Sequence, residues 1–183
     1  DTLTKSEGVT STLYKRLMEK GLVFQFKQDP WQLQSSLQVE PLATLSPAQQ
    51  QSVDAMRLAF KSTPLVLLEG VTGSGKTEVY THLIHDTLEA GRDALFLVPE
   101  IALTTQLIVR LRRFFGDRLE VYHSRFSPRE RTSTYRRVSE KEARGRLMVG
   151  ARSAIFLPFS NLGLIVVDEE HDASYKQQDP APR

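Results

Sequence analysis

Residues 70–77 read Gly-Val-Thr-Gly-Ser-Gly-Lys-Thr, the spacing G-x-x-x-x-G-K-[ST]. Such a loop needs a strand before it and a helix after it. The apolar run Leu65-Val66-Leu67-Leu68 stands where the strand belongs, and a helix-like segment starts at Thr77. Gly73 and Gly75 let backbone N–H groups turn inward around phosphate oxygens without side-chain clashes. Lys76 reaches the β and γ phosphates, the Thr77 hydroxyl is a ligand for Mg²⁺, and the helix aims its positive end at the anion. Gly70, Val71, Thr72, Gly73, Ser74, Gly75, Lys76 and Thr77 are therefore expected to cradle a nucleoside triphosphate. A Gly-rich turn matching by chance would lack the Lys-Thr pair and the flanks.

A second motif lies downstream. Leu164-Ile165-Val166-Val167 reads as a buried parallel strand and runs into Asp168-Glu169-Glu170-His171. A carboxylate at the carboxyl end of such a strand faces the same crevice as the phosphate loop. Asp168 is placed to hold Mg²⁺ through water, and Glu169 to polarise an attacking water. An apolar run ending in acids is often only a strand end with a solvated turn. The phosphate loop upstream is what makes it informative.

Taken together, these residues resemble the Asp-Glu-x-His helicases and translocases of superfamily 2. Leu97 to Thr104 is similar to motif Ia of that superfamily, Val121-Tyr122-His123-Ser124 to its Ib region, and Val149 to Phe156 to motif Ic. The run from Gly70 to Tyr80, with Asp168 to Gln178, is similar to the primosomal replication-restart helicases. The likeness is close from about Leu45 onward and looser before it.

That resemblance implies an ATP-dependent DNA helicase moving 3′ to 5′ at stalled forks, with ATP and Mg²⁺ as cofactors. It assigns catalysis to Lys76, Asp168 and Glu169, and coupling to His171. It also implies that Gln49 reads the adenine edge, although Gln50 and Gln51 leave the register open by a residue or two. Thr104, Arg152 and Ser153 are implied to hold phosphates of a single strand. The plainer alternatives are a helix cap for Thr104 and a surface ion pair for Arg152. Ser174, Tyr175 and Lys176 begin what resembles an aromatic-rich, DNA-sensing loop. Implied partners are forked or single-stranded DNA, single-stranded-DNA-binding protein and other primosome proteins, in the cytoplasm.

Composition sets outer bounds. The 183 residues suffice for one sizeable domain and a small appendage, with 40% hydrophobic residues and no run of membrane-spanning length. Net charge is only +2, so overall charge does not point to nucleic acid. Arginines do cluster, at Arg110, Arg112 and Arg113 and again between Arg125 and Arg146; a solvated helix face is the bland explanation. There is no cysteine, which rules out disulfides and thiolate metal sites within the chain. Relatives of this type carry a cysteine-rich zinc module farther toward the C-terminus, so the expectation is a fragment ending after the acidic motif.

Along the chain, residues 1–26 are expected to be the end of a winged-helix domain, with a helix carrying Leu13 and Leu17, Gly21, and a strand from Leu22 to Phe26. Residues 27–44, with Pro30, Trp31 and Pro41, read as a linker. Residues 45–183 are expected to be the first RecA-like lobe, an α/β fold with a mostly parallel sheet and helices on both faces. Ser46 and Pro47 open a helix that buries Val53, Met56 and Phe60. Tyr80, Leu83, Ile84 and Leu88 mark a second helix, ended by Gly91. Strands are expected at 94–98, 119–122 and 147–151, with helices over 104–115 (Leu107, Leu111 and Phe115 inward) and 128–143. The rival readings are another superfamily 2 translocase, which the 150–154 and 174–178 segments disfavour, and a P-loop kinase or regulatory nucleotide-binding module.

Overall fold

The computed structural model describes residues 39–71, 73–123, 126–139 and 145–176. The winged-helix expectation, Trp31 and most of the linker lie outside the described residues, as do Thr72, Ser124, Arg125 and residues 177–183. Among the described residues the elements run, in chain order, α1 (Pro47–Ala59), α2 (Lys76–Glu89), β1 (Asp93–Leu97), α3 (Thr105–Phe115), β2 (Leu119–Tyr122), α4 (Pro128–Ser139), β3 (Leu147–Gly150) and β4 (Leu162–Val167). The sheet runs β2-β3-β1-β4 and every pairing is parallel. All strands therefore end on one rim, the expected α/β design.

Strand alternation sorts the core into two layers. Phe96 turns to one face, where Tyr80 of α2 meets it edge-on at a centroid distance of 6.0 Å. Leu95 and Leu97 turn to the other, where they pack with Val138 of α4, Met148, Ala154 and Leu157. Helices thus cover both faces. The lower end is held by buried Asp93, whose Oδ1 accepts from the Arg146 N–H at 2.9 Å.

Local chemistry explains the helix ends. Ser46 Oγ accepts from the Gln49 N–H while Gln49 Oε1 accepts from the Ser46 N–H, a closed capping box ahead of Pro47. Gly91, at φ +70°, follows the last turn of α2 and donates its N–H to Leu88 O.

Four expectations need correction. Phe60 is the C-cap of α1 and 40% exposed, so the buried stripe ends at Met56. In α3 the inward residues are Ile108, Leu111 and Phe115, with Leu107 half-buried. Spacings of three and four keep to one helical face, whereas two steps of four drift around it. β4 is not buried on both faces: Ile165 and Val167 stay 46% and 41% exposed. Finally, Leu65 to Leu68 forms no strand. Val66 and Leu68 pack against Val53, Met56, Val79 and Leu83, while Leu65 and Leu67 point outward. Apolar alternation shows which side chains turn in, not whether the backbone finds a ladder partner. The helix over 128–143 is seen as far as Ser139, and 140–144 lie outside the described residues.

Gly150 lets the end of β3 pass close to β2. A Cβ there would lie 2.7 Å from Tyr122 O and 2.7 Å from Ala154 Cβ. Gly150→Ala is expected to cost about 1–3 kcal/mol, as overpacking does. Thermal unfolding followed by circular dichroism should show the midpoint falling by several degrees. An unchanged midpoint would mean that this contact relaxes freely.

Candidate nucleotide site

The phosphate loop enters α2 through two left-handed glycines, Gly73 at φ +78° and Gly75 at φ +82°. Gly75 is also where the loop meets α1. A Cβ on it would stand 2.2 Å from Gln49 Nε2. Lys76 Nζ donates to Gly70 O at 2.8 Å and to Val71 O at 3.3 Å. The lysine thus folds back over the loop it follows, toward the ground that loop amides and a phosphate would share. Thr77, half-buried, sits in the first turn of α2, where helix N–H groups are unpaired.

Of the three neighbouring glutamines, Gln49 reaches the loop. Its Nε2 donates to Gly75 O at 3.3 Å, whereas Gln50 turns to Asp54. The Gln49 carbonyl is committed to the capping box, so an adenine edge would have to compete for both ends of this amide.

The acidic turn is built on the sheet. The Asp168 N–H donates to Leu97 O at 2.9 Å, closing the last pair of the β1–β4 ladder. Glu169 then takes φ +50°, the left-handed region, as a non-glycine. Such a conformation is costly and persists only where neighbours enforce it. The Asp172 N–H donates to Glu169 O, the Asp172 carboxylate accepts from the Ser174 N–H at 2.7 Å, and Tyr175 N–H donates to Asp172 O. Tyr175 Oη donates to Asp168 O at 3.0 Å, with its ring against the Leu95–Leu97 layer. Sequence reasoning assigned Tyr175 only to the start of a loop. Its reach back over seven residues depends on a turn and a short 3₁₀ segment (Ala173–Tyr175) that no spacing rule announces.

Electrostatics agree with this geometry. Burial, and then the negative charge of Glu169, push the Asp168 carboxyl above the usual range, while a hydrogen bond from the Glu169 backbone and, less, Lys76 pull it down. Lys76 and Asp168 therefore feel each other. Burial first, then Asp168, Glu169 and Glu170, push the Tyr80 phenol up to about 12. Burial and Asp168 also raise Tyr175, so both phenols keep their protons near neutral pH. His171, largely exposed, lies 3.4 Å from Glu169 Oε2 and 3.9 Å from Glu170 Oε2.

Farther along the rim, Thr104 caps α3 by accepting from the Leu107 N–H at 3.3 Å. Arg152 and Ser153 are exposed and open the 3₁₀ segment Arg152–Phe156 after β3. Arg152 makes no ion pair with another described residue. Among the described residues no group of three or more His, Cys, Asp or Glu could hold a metal ion, and no helix is long and apolar enough to cross a membrane.

A parallel sheet with a phosphate loop and an acidic turn on one rim is the design of a nucleotide-driven motor lobe, and the sequence profile of the DEAD/DEAH box helicases matches residues 46–181. The chain belongs to the DEAD/DEAH box helicase family. It is similar to the replication restart protein PriA of several bacteria. Identity is 42% over 183 residues with the Bacillus subtilis protein, covering 97% of this chain and 22% of that protein. It is 42% over 182 residues with the Synechocystis protein, covering 98% and 22%. With the Haemophilus influenzae protein it is 38% over 177 residues, covering 93% and 24%. The chain thus spans less than a quarter of the length of these relatives.

The raised Asp168 pKa sets a sign. A carboxyl with a raised folded-state pKa costs nothing below its unfolded value of about 3.9, and destabilises increasingly as pH rises through the folded value. Asp168→Asn removes that cost. At neutral pH it should raise the melting midpoint of the nucleotide-free chain by a few degrees, and below about pH 4 the gain should vanish. Scanning calorimetry across pH checks this; a gain that is independent of pH would point to packing instead.

Proposed function

We propose that this chain is the ATP-binding lobe of a cytoplasmic DNA helicase of replication restart, one that moves 3′ to 5′ on forked or single-stranded DNA and works with single-stranded-DNA-binding protein and other primosome proteins. The observation that carries the nucleotide part is the loop itself, with Gly73 and Gly75 in the left-handed region ahead of Lys76 and the first turn of α2. The DNA part rests on the family and on the similarity to replication restart proteins.

In this reading the amides of residues 70–77 and Lys76 bind the β and γ phosphates, and Gln49 lies where the base would enter. Asp168, whose charge is disfavoured by burial and by Glu169, and Thr77 fit a Mg²⁺ ion. Bound there, that ion would neutralise charge on the phosphate oxygens. Glu169 orients the attacking water and accepts its proton, and its left-handed backbone, held by Asp172 and Tyr175, fixes where the carboxylate points. His171, within reach of Glu169, transmits the state of the site toward the DNA side. Thr104, Arg152 and Ser153 contact strand phosphates, Thr104 while capping α3. A second lobe supplies transition-state arginines in enzymes that this chain resembles, so the chain alone binds MgATP and turns over little.

Lys76→Ala should weaken MgATP binding to the chain at least tenfold, measured with a fluorescent ATP analogue. Equal affinity would remove Lys76 from the site. In the intact enzyme, Glu169→Gln should leave nucleotide binding within about twofold and cut DNA-stimulated hydrolysis by 10²-fold or more, as loss of a general base does. Normal turnover in that variant, with loss in Glu170→Gln, would transfer the role to Glu170. Robust DNA-stimulated hydrolysis by the unsubstituted chain alone, abolished by Lys76→Ala, would show that no second lobe is needed.

A further inference from the structure

α4 follows β2, the edge strand farthest from β4, and its first turn lies on the rim where all strands end. Only Thr134 and Val138 are buried, at i,i+4 on one face. At 100° per residue, the opposite face carries Arg129, Thr132, Ser133 and Arg136, at i, i+3, i+4 and i+7. All four are exposed, and within the described helix, Pro128–Ser139, the stripe contains no carboxylate.

Among the described residues the nearby acids are already engaged. Glu130 closes a capping box with Ser127, accepting from its N–H at 2.8 Å and its hydroxyl at 2.6 Å. Glu120 takes Arg137 at 3.1 Å and Arg146 at 3.4 Å. Arg129 and Arg136 form no ion pair with another described residue. Nor do these arginines serve the helix uniformly: Arg129 stands in the first turn, where a cation opposes the macrodipole. The stripe hydroxyls are engaged within the helix, Thr132 donating to Pro128 O and Ser133 accepting from Arg137, and Arg136 in the last turn suits the macrodipole; the first-turn Arg129 does not. A polyanion would engage both guanidiniums.

We propose that this outward face of α4 is a nucleic-acid surface, on which Arg129 and Arg136 take phosphates of a DNA strand that crosses the rim. The proposal rests on the DNA reading above and extends it to a helix outside the family motifs. Seven residues advance about 10 Å along the helix, comparable to about three nucleotides at 3.4 Å per step. Contacts of this kind carry charge and no sequence information. No described hydrogen bond or ion pair joins Arg129 or Arg136 to a residue of the nucleotide site, and both lie on the helix face away from Thr134 and Val138, so binding there leaves the nucleotide site alone.

The test is fluorescence anisotropy of the chain with labelled forked DNA and labelled oligo-dT over a salt series, for the unsubstituted chain and for Arg129→Gln/Arg136→Gln. Two lost phosphate contacts should reduce the slope of log affinity against log salt by about 1.4 on single strands and about 1.8 on duplex. Binding of the fluorescent ATP analogue and the melting midpoint should not change. Normal DNA binding by the unsubstituted chain with an unchanged slope in the double variant would overturn this surface and leave the DNA reading standing. Failure of the unsubstituted chain to bind either DNA would overturn both. If the double variant keeps its DNA slope but loses binding to a polyglutamate peptide, the face serves an acidic protein and the proposal fails.

Discussion

The pairing of β1 with β4 is the contact on which the site depends. Its register sets Leu97 opposite Val167, and that pair is closed by the Asp168 N–H donating to Leu97 O. That hydrogen bond holds the first acidic residue at the end of the sheet. A parallel sheet brings all of its strand ends to one rim, so a loop that precedes α2 and a turn that follows β4 can share a crevice although they are far apart in the chain. The charge coupling of Lys76 with Asp168 is the consequence.

The acidic turn stores unfavourable terms and is restrained on several sides. Asp168 is half-buried next to other carboxylates, and Glu169 adopts a backbone conformation that suits glycine. Asp172, Ser174 and Tyr175 close the turn with hydrogen bonds, and the Tyr175 ring joins its end to the Leu95–Leu97 layer. Pre-set charge and pre-set backbone are what a cation-dependent phosphate chemistry requires, since little reorganisation then remains for the moment of reaction.

The phosphate loop precedes α2 and the acidic turn follows β4, whereas Thr104 and Arg152 follow β1 and β3 in the chain. Side chains with structural duties sit among those with functional ones. Thr104 is a cap wherever else it acts, and Gln49 belongs both to the capping box of α1 and to the phosphate loop.

Much of this was readable in the chain because its signals are local. Gly73 and Gly75 announce left-handed backbone, Ser46-Pro47 announces a helix start, and the alternation of apolar runs with helical stripes announces an α/β fold. What depends on distant partners was not readable. Leu65 to Leu68 has the pattern of a strand, yet its backbone pairs with nothing in the described sheet, because register and neighbours are tertiary properties. The same holds for the open face of β4 and for Phe60 at a helix end. The sequence by itself determined the loop, the acidic motif and the order of elements, since each is a matter of conformational preference within a few residues. Only the tertiary structure decided which glutamine meets the loop and that Tyr175 returns to Asp168, since those facts arise from packing that no local preference announces.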